Sequence, residues 1–328
     1  MISNKLPYIR RKEMDSVLTY LVESDKDVCS ELVKSIKKRI KVDNLYLINE
    51  IYRSFEIFLE FSNFPINSEI ILSSLTPSLF YNIVTQHGFN PIVVDVNIDT
   101  GVPDSETVLE AITENTKLYI NFMEFSNGTE TDDIVNKIEV LNIYYSGFLF
   151  NKDKEIQFYK NSIISLNIGT FASSISGAVL LSPLMDNKLV LQYLDNYKEF
   201  RLSHFNTSLL ISQFNDIDDF VEKIVQIRDI YRDSVLKSGY STFITSENIC
   251  SGYFPVVLKK SRKEIEKYCN HNGIPVEPAY INSIVKTNSK VKNSNAKYLS
   301  VRTLLFPLTL TLKKSSVELI SKILSTLP

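Results

Sequence analysis

Four short apolar runs constrain this chain more than anything else in it. Glu69–Ser73 (EIILS), Pro91–Val96 (PIVVDV), Lys117–Phe122 (KLYINF) and Val140–Tyr145 (VLNIYY) are too short for buried helices and rich in β-branched and aromatic residues. They read as strands. Leu79–His87, ended by Gly88, reads as a helix, as do Ser105–Ile112 and Asp132–Lys137, with a turn at Asn97–Gly101. Strands that are apolar on both faces, alternating with helices, predict a mostly parallel sheet covered on both sides.

The flanks extend this pattern. Leu6–Glu23 and Cys29–Ile40 carry apolar residues at helical spacing, and Leu45–Phe61 reads as a strand entering a helix. Lys188–Phe200 is helical. Asp216–Leu236 is a long amphipathic helix with Ile217, Phe220, Val221, Ile224, Ile227 and Tyr231 on one face. Phe254–Leu258 reads as a strand, Lys263–Cys269 as a helix stopping near Gly273, and Ser315–Leu324 as the last helix. Asn282–Ala296 is the most polar stretch and is expected to be a mobile loop. The division expected is a large α/β domain over residues 1–205, whose N-terminal helix can pack on the small domain. A smaller C-terminal α/β domain over 206–328 would include the long connecting helix.

Composition narrows the partners. A net charge of −2 gives no electrostatic reason for nucleic acid or an anionic membrane as partner. No apolar run approaches the roughly 20 residues that span a bilayer, and MISNKLPYIRRKEM lacks the apolar core of a signal peptide. Cys29, Cys250 and Cys269 are far apart and read as reduced thiols, so the cytoplasm is the expected compartment. Cys269 and His271 make half a metal site at best, and no metal is expected. Only nine glycines occur, whereas loops that cradle phosphate normally use glycine for close approach of the backbone.

The stretch NSEIILSSLTPSLFYNIVTQHGFNPIVVDVNIDTGVPDSETVLEAITENTKLYI resembles a segment of the DegT/DnrJ/EryC1/StrS family of sugar aminotransferases. Glu69, Ile71, Thr76, Asn82, Gly88, Pro91, Asp95, Asp99, Thr100, Ala111, Ile112, Thr116 and Lys117 keep its register without a gap. Ser165 and Gly177-Ala178-Val179 resemble the two ends of the family's lysine-bearing hairpin. GIPVEPAY and Leu305–Leu308 resemble two C-terminal motifs. The resemblance implies the aspartate-aminotransferase fold type I, the fold of enzymes that depend on pyridoxal phosphate (PLP). It also implies a homodimer with the active site completed across it.

The family's cofactor contacts are implied at specific positions, and the residues found there differ. The Schiff-base lysine would fall at Thr170, counting from Ser165, or at Ile168 or Gly169, counting from Gly177; no Lys or His lies between Asn161 and Asn187. The acid under the pyridine nitrogen would follow the strand Val140–Tyr145. Tyr144 is the nearest candidate, and a phenol is neutral at pH 7. The phosphate cup matches Asn49-Glu50-Ile51-Tyr52-Arg53, where Glu50 would repel a dianion unless Arg53 offsets it. Pro77 follows Thr76 where the family stacks an aromatic ring. Asn206 matches an asparagine that reaches a partner's cofactor, but an isolated Asn reads more simply as a turn residue.

The vestigial pocket is thus expected to be lined by Glu50, Tyr52, Thr76, Pro77, Tyr144, Ser165, Asn167, Thr170 and Asn206, with no catalytic residue and no cofactor. The expected function is that of a homologue without transaminase activity in sugar or surface-polysaccharide biosynthesis. It would work as a homodimer, or with an active paralogue or a nucleotide-sugar ligand. Two alternatives stand beside it: an active PLP-dependent aminotransferase using an unplaced lysine, and a PLP-independent enzyme in the same cleft.

Overall fold

The computed structural model describes residues 9–22, 27–40, 42, 44–125, 128–144, 161–166, 175–243, 252–259 and 262–328. In chain order these form α1 (Arg11–Val22), α2 (Val28–Ile40), β1 (Leu45–Ile48), α3 (Ile51–Phe61), β2 (Glu69–Ser73), α4 (Ser78–Gln86), β3 (Asn90–Val94), α5 (Ser105–Glu110), β4 (Thr116–Met123), β5 (Glu139–Tyr144), β6 (Ser162–Ser165) and β7 (Ala178–Leu181). There follow α6 (Asn187–Asn196), α7 (His204–Asn215), α8 (Ile217–Ser238), β8 (Tyr253–Val257), α9 (Arg262–His271), β9 (Glu277–Pro278), α10 (Ile284–Thr287), α11 (Ser294–Arg302), β10 (Thr303–Pro307) and α12 (Lys314–Ser325). Seven strands belong to a mixed, mostly parallel sheet, and β8, β10 and β9 form a second, antiparallel one.

The chain divides into two compact units. The first includes Ile66–Val140 and Glu222–Pro328. Its parallel strands run in the order β3-β2-β4, with Ile71 beside both Ile92 and Tyr119. Ile71, Val94, Val108, Tyr119, Ile134 and Val140 make a core on one face of these strands. These are the apolar runs that mark the sequence, and burial on both faces is why they do not alternate. Beyond β4 the chain turns back on itself: the Asn121 side chain accepts from Thr129 N (2.9 Å) and donates to Thr129 O (3.2 Å). Gly128 in that turn has φ +80°, and a Cβ there would lie 2.7 Å from Met123 Sδ. No other residue fits without displacing its neighbours.

Two expectations are corrected in this unit. Asp132–Lys137 is a run of turns rather than a helix: bonds from Ile134 and Lys137 reach back three residues, and those from Val135 and Ile138 four. One turn of bonds is too little to offset the cost of helix nucleation. The polar stretch Asn282–Ala296 is built rather than loose. Ile284 N and Val285 N donate to Thr76 O and Ser74 O (both 3.0 Å), and Asn293 Nδ2 donates to Ser74 Oγ (2.6 Å). The Asp95 carboxylate accepts from Asn295 N (3.1 Å) and Ala296 N (2.9 Å), in the first turn of α11. Partners on the ends of β2 and β3 order a segment that has little apolar surface of its own.

The second unit includes Lys5–Pro65 and Leu141–Val221. Here β6 pairs in parallel with β5 and antiparallel with β7, which pairs antiparallel with β1. Phe55, Ile57 and Phe58 of α3 are fully buried. Glu13 of α1 is also fully buried, with its charge met by Arg10, which pairs in turn with Asp216 at 2.7 Å. Matched charge is what permits a carboxylate at that depth.

The two backbone N–H groups held by Asp95 yield a stability prediction. Hydrogen bonds to a charged group are worth about 1.5–3 kcal/mol each. Asp95→Ala should therefore lower the urea-unfolding free energy by about 2–3 kcal/mol, and Asp95→Asn, which keeps one acceptor oxygen, by less. Equal losses in the two variants would show that the oxygens are not what holds α11.

Candidate functional site

Sheet register in the second unit aligns several of the positions singled out by sequence. Ile48 at the end of β1 faces Ala178 at the start of β7, and Ala178 faces Ser165 at the end of β6. Tyr144, ending β5, pairs with Ile164. Glu50, Tyr144 and Ser165 thus lie along one edge of these strands. Ser165 is buried. Asn206 stands in the first turn of α7, not in a turn between elements. Its Nδ2 donates to Ser176 O (3.1 Å) and its Oδ1 accepts from Ile175 N (3.3 Å), which ties α7 to the chain entering β7. Asn167 and Thr170, with Ile168 and Gly169, lie outside the described residues.

The start of α3 is an anion position that the chain fills for itself. Glu50 is the N-cap, with extended backbone, and its carboxylate accepts from Tyr52 N (3.0 Å) and Arg53 N (3.3 Å). Free N–H groups and the helix dipole make such an end favourable for negative charge. Here that charge is intramolecular. Tyr52 serves through its backbone donor. Arg53 is engaged elsewhere: it pairs with Glu56 at 2.5 Å, and its guanidinium lies 4.2 Å from the Phe200 ring centroid. At the other end of the row Tyr144 is buried, its hydroxyl without a hydrogen-bond partner among the described residues. Burial raises the pKa of this phenol well above its usual value, so it stays neutral.

Thr76 and Pro77 belong to the first unit. Thr76 follows β2; its backbone is bonded at both ends, to Ser73 O and from Ile284 N, but its buried Oγ1 has no partner among the described residues. Pro77 precedes α4 and bridges Ser283.

Residues 53–122 match the model of the DegT/DnrJ/EryC1/StrS aminotransferase family. The likeness to that family is borne out. No curated protein matches the chain in sequence. Among solved structures, the chain is similar to the putative sugar aminotransferase Spr1654 from Streptococcus pneumoniae in its PMP form, with TM-score 0.84 at 16% identity. That match covers 99% of this chain and 97% of that one. DesV from S. venezuelae, in complex with a ketimine intermediate, has TM-score 0.83 at 14% identity and 98% coverage of both chains. The E. coli GDP-4-keto-6-deoxy-D-mannose-3-dehydratase with bound hydrated PLP has TM-score 0.80 at 16% identity, covering 99% and 100%. At these identities the likeness establishes the fold, that of the PLP-dependent sugar aminotransferases.

The expectation that no cofactor belongs here does not stand. Structures of this fold are found with PLP or PMP, and PLP is the cofactor of the DegT/DnrJ/EryC1/StrS family. At two described positions the residues do not fit PLP as the family holds it. By the correspondence that the family resemblance implies, Glu50 takes the helix-start donors that a phosphate would use, and Tyr144 brings a neutral hydroxyl near the place of the carboxylate that would face the ring nitrogen.

A residue that sequence reading missed is Glu124, directly after β4. It is half-buried, with no hydrogen bond or ion pair among the described residues, and burial pushes its pKa up to about 7. Nothing in the motif NFMEFSNG marks it, because its burial is set by tertiary packing and not by the local pattern.

Two measurements follow. Glu50→Ser keeps a capping oxygen and removes the charge, so PLP affinity, read from its absorbance in a titration, should rise about tenfold; two like charges near a protein surface repel by several kcal/mol. For Glu124, folding raises the pKa from 4.5 to about 7, so the folded state binds the extra proton. Its contribution is fully present below about pH 4.5 and is lost as pH rises to about 7. Glu124→Gln should remove that slope and be more stable than the parent at pH 8, by about 2 kcal/mol after discounting for partial exposure.

Proposed function

We propose that this chain is a sugar-pathway relative of the nucleotide-sugar aminotransferases that does not transaminate through a hairpin lysine. The single observation that carries the reading is the absence of any Lys or His between Asn161 and Asn187, in a hairpin whose ends keep Ser165 and Gly177-Ala178-Val179. A Schiff-base lysine supplies both the covalent anchor and the shuttled proton in PLP chemistry, and no other side chain type replaces both roles. The Glu50 cap and the neutral Tyr144 support the reading, since either alone would weaken electrostatic support for a phosphorylated, protonated ring.

The reading concerns how PLP is attached, not whether the family uses it. A nucleotide sugar is the ligand class favoured by the family, and surface-polysaccharide synthesis the setting. A homodimer, or a pair with an active paralogue, is the assembly proposed. The cytoplasm is the compartment proposed; among the described residues no helix is long and apolar enough to cross a membrane.

The test is to add PLP, reduce with borohydride and map pyridoxyl adducts by mass spectrometry. Amino-sugar formation from a nucleotide 4-keto sugar and glutamate is assayed in parallel. The expected result is no stoichiometric pyridoxyl-lysine and no amino sugar. One lysine modified in full, together with turnover, would establish instead an active aminotransferase whose lysine lies outside the hairpin.

A further inference from the structure

A cavity of about 320 Å³ opens between α4 and the segment around α10, both in the first unit. That is the lower end of the range for small-molecule sites, about 300–1,000 Å³. One wall is the first turns of α4, where Ser78, Tyr81 and Asn82, at spacings of three and four, share a helix face. The other is the end of α10 and the turn after it, from Thr287 to Lys290. Backbone bonds hold the two walls together. Ser78 N donates to Asn282 O (2.8 Å) and Ile284 N to Thr76 O (3.0 Å), so the segments are joined on either side of Pro77. Asn288 fixes the turn: its N–H donates to Ile284 O (2.8 Å) and its Oδ1 accepts from Lys290 N (3.1 Å).

The lining is polar, and its charge is of one sign. The side chains of Ser78, Tyr81, Asn82, Ser289 and Lys290 have no hydrogen bond or ion pair among the described residues. No carboxylate lines the cavity. α4 carries no charged residue and its N-cap, Pro77, supplies no side-chain acceptor, so the positive end of its dipole is uncompensated. From Ala279 to Val317 the chain has seven lysines and arginines and no Asp or Glu, in a protein of net charge −2. Burial and the charges of Arg262 and Lys297 lower the pKa of Lys286 on α10, so cations are crowded on this side of the unit. Arg262 has Glu266 at 3.0 Å to answer its charge, whereas Lys290 has no such partner.

We propose that this cavity binds the phosphate ester of a small polyol, such as a sugar phosphate. Lys290 meets the phosphate as a point charge, and hydrogen bonds to an ionised group are stronger than those between neutral ones. Tyr81, Asn82 and Ser289 offer hydroxyl and amide groups that both donate and accept, which suits the hydroxyls of a polyol. A mainly apolar ligand is a poorer occupant, because it would strip water from these groups without replacing their hydrogen bonds. A metal ion is poorer still, since the one charged side chain in the lining is a cation. The site uses no residue of the hairpin or of the start of α3, so it stands whether or not the chain transaminates.

The experiment uses the full-length chain and ligand-observed NMR, with glucose 6-phosphate, glucose and inorganic phosphate as probes. Glucose 6-phosphate should bind. Glucose and inorganic phosphate each present half of the recognised group and should bind about tenfold more weakly or less. Lys290→Gln should weaken glucose 6-phosphate about tenfold and leave glucose unchanged. Tyr81→Phe, which keeps the ring, should weaken glucose 6-phosphate about threefold and leave inorganic phosphate unchanged. Lys292→Gln removes a neighbouring lysine outside the lining and should stay within about twofold of the parent, because exposed charges at a distance are screened. No binding of glucose 6-phosphate, equal binding of glucose or of inorganic phosphate, or equal losses in Lys290→Gln and Lys292→Gln would each overturn the proposal.

Discussion

A single carboxylate joins parts of the first unit that are 200 residues apart in sequence. Asp95, just past β3, takes two backbone N–H groups from the start of α11 and one from its own neighbour Val96. With α11 fixed, the stretch before it can bond to Ser74 and Thr76 at the end of β2. Ser283 of that stretch donates to Tyr280 O, so polar contacts at strand ends also hold the backbone of Tyr280. The apolar cluster of Leu75, Phe125, Phe243, Ala296 and Leu299 then closes over the same junction. Charge-assisted bonds set the register here, and burial of apolar area supplies the bulk of the stabilisation.

Two carboxylates of the chain are handled in opposite ways. Glu50 lies where donors already exist, and it satisfies two of them at the start of α3. It is therefore at rest, and an incoming anion must displace it. Glu124 has no hydrogen-bond or ion-pair partner among the described residues, and burial lifts its pKa toward neutrality. One carboxylate is satisfied by backbone donors, while burial leaves the other to take up a proton near neutrality. Burial and hydrogen bonding, rather than residue type, separate the two.

Much of the fold was legible because its signals are local. EIILS, PIVV, KLYINF and VLNIY pattern as buried strands over four to eight residues, and Gly88 stops α4 where a left-handed residue is needed. The helix over 132–137 was over-read, since the sequence pattern does not reveal how few bonds a single turn can make. The mobile loop over 282–296 was misread for the converse reason: its polar side chains and backbone groups find partners that are remote in sequence. The sequence reads Asn206 as a turn residue, yet it lies in the first turn of α7 and ties that helix to the chain before β7. The candidate pocket was legible only as a set of departures from a family pattern. The conclusion that departures meant no cofactor went further than they allow, as the PLP-bearing structures of this fold make plain.

The sequence by itself determined the parallel βα architecture, the family likeness over residues 53–122 and the lack of an amine in the hairpin, since each is a property of contiguous residues. Only the tertiary structure decided that Glu50 caps α3, that Tyr144 is buried and neutral, and that burial raises the pKa of Glu124. Ionisation and hydrogen-bond satisfaction depend on what surrounds a group in space, and those neighbours are contributed by distant parts of the chain.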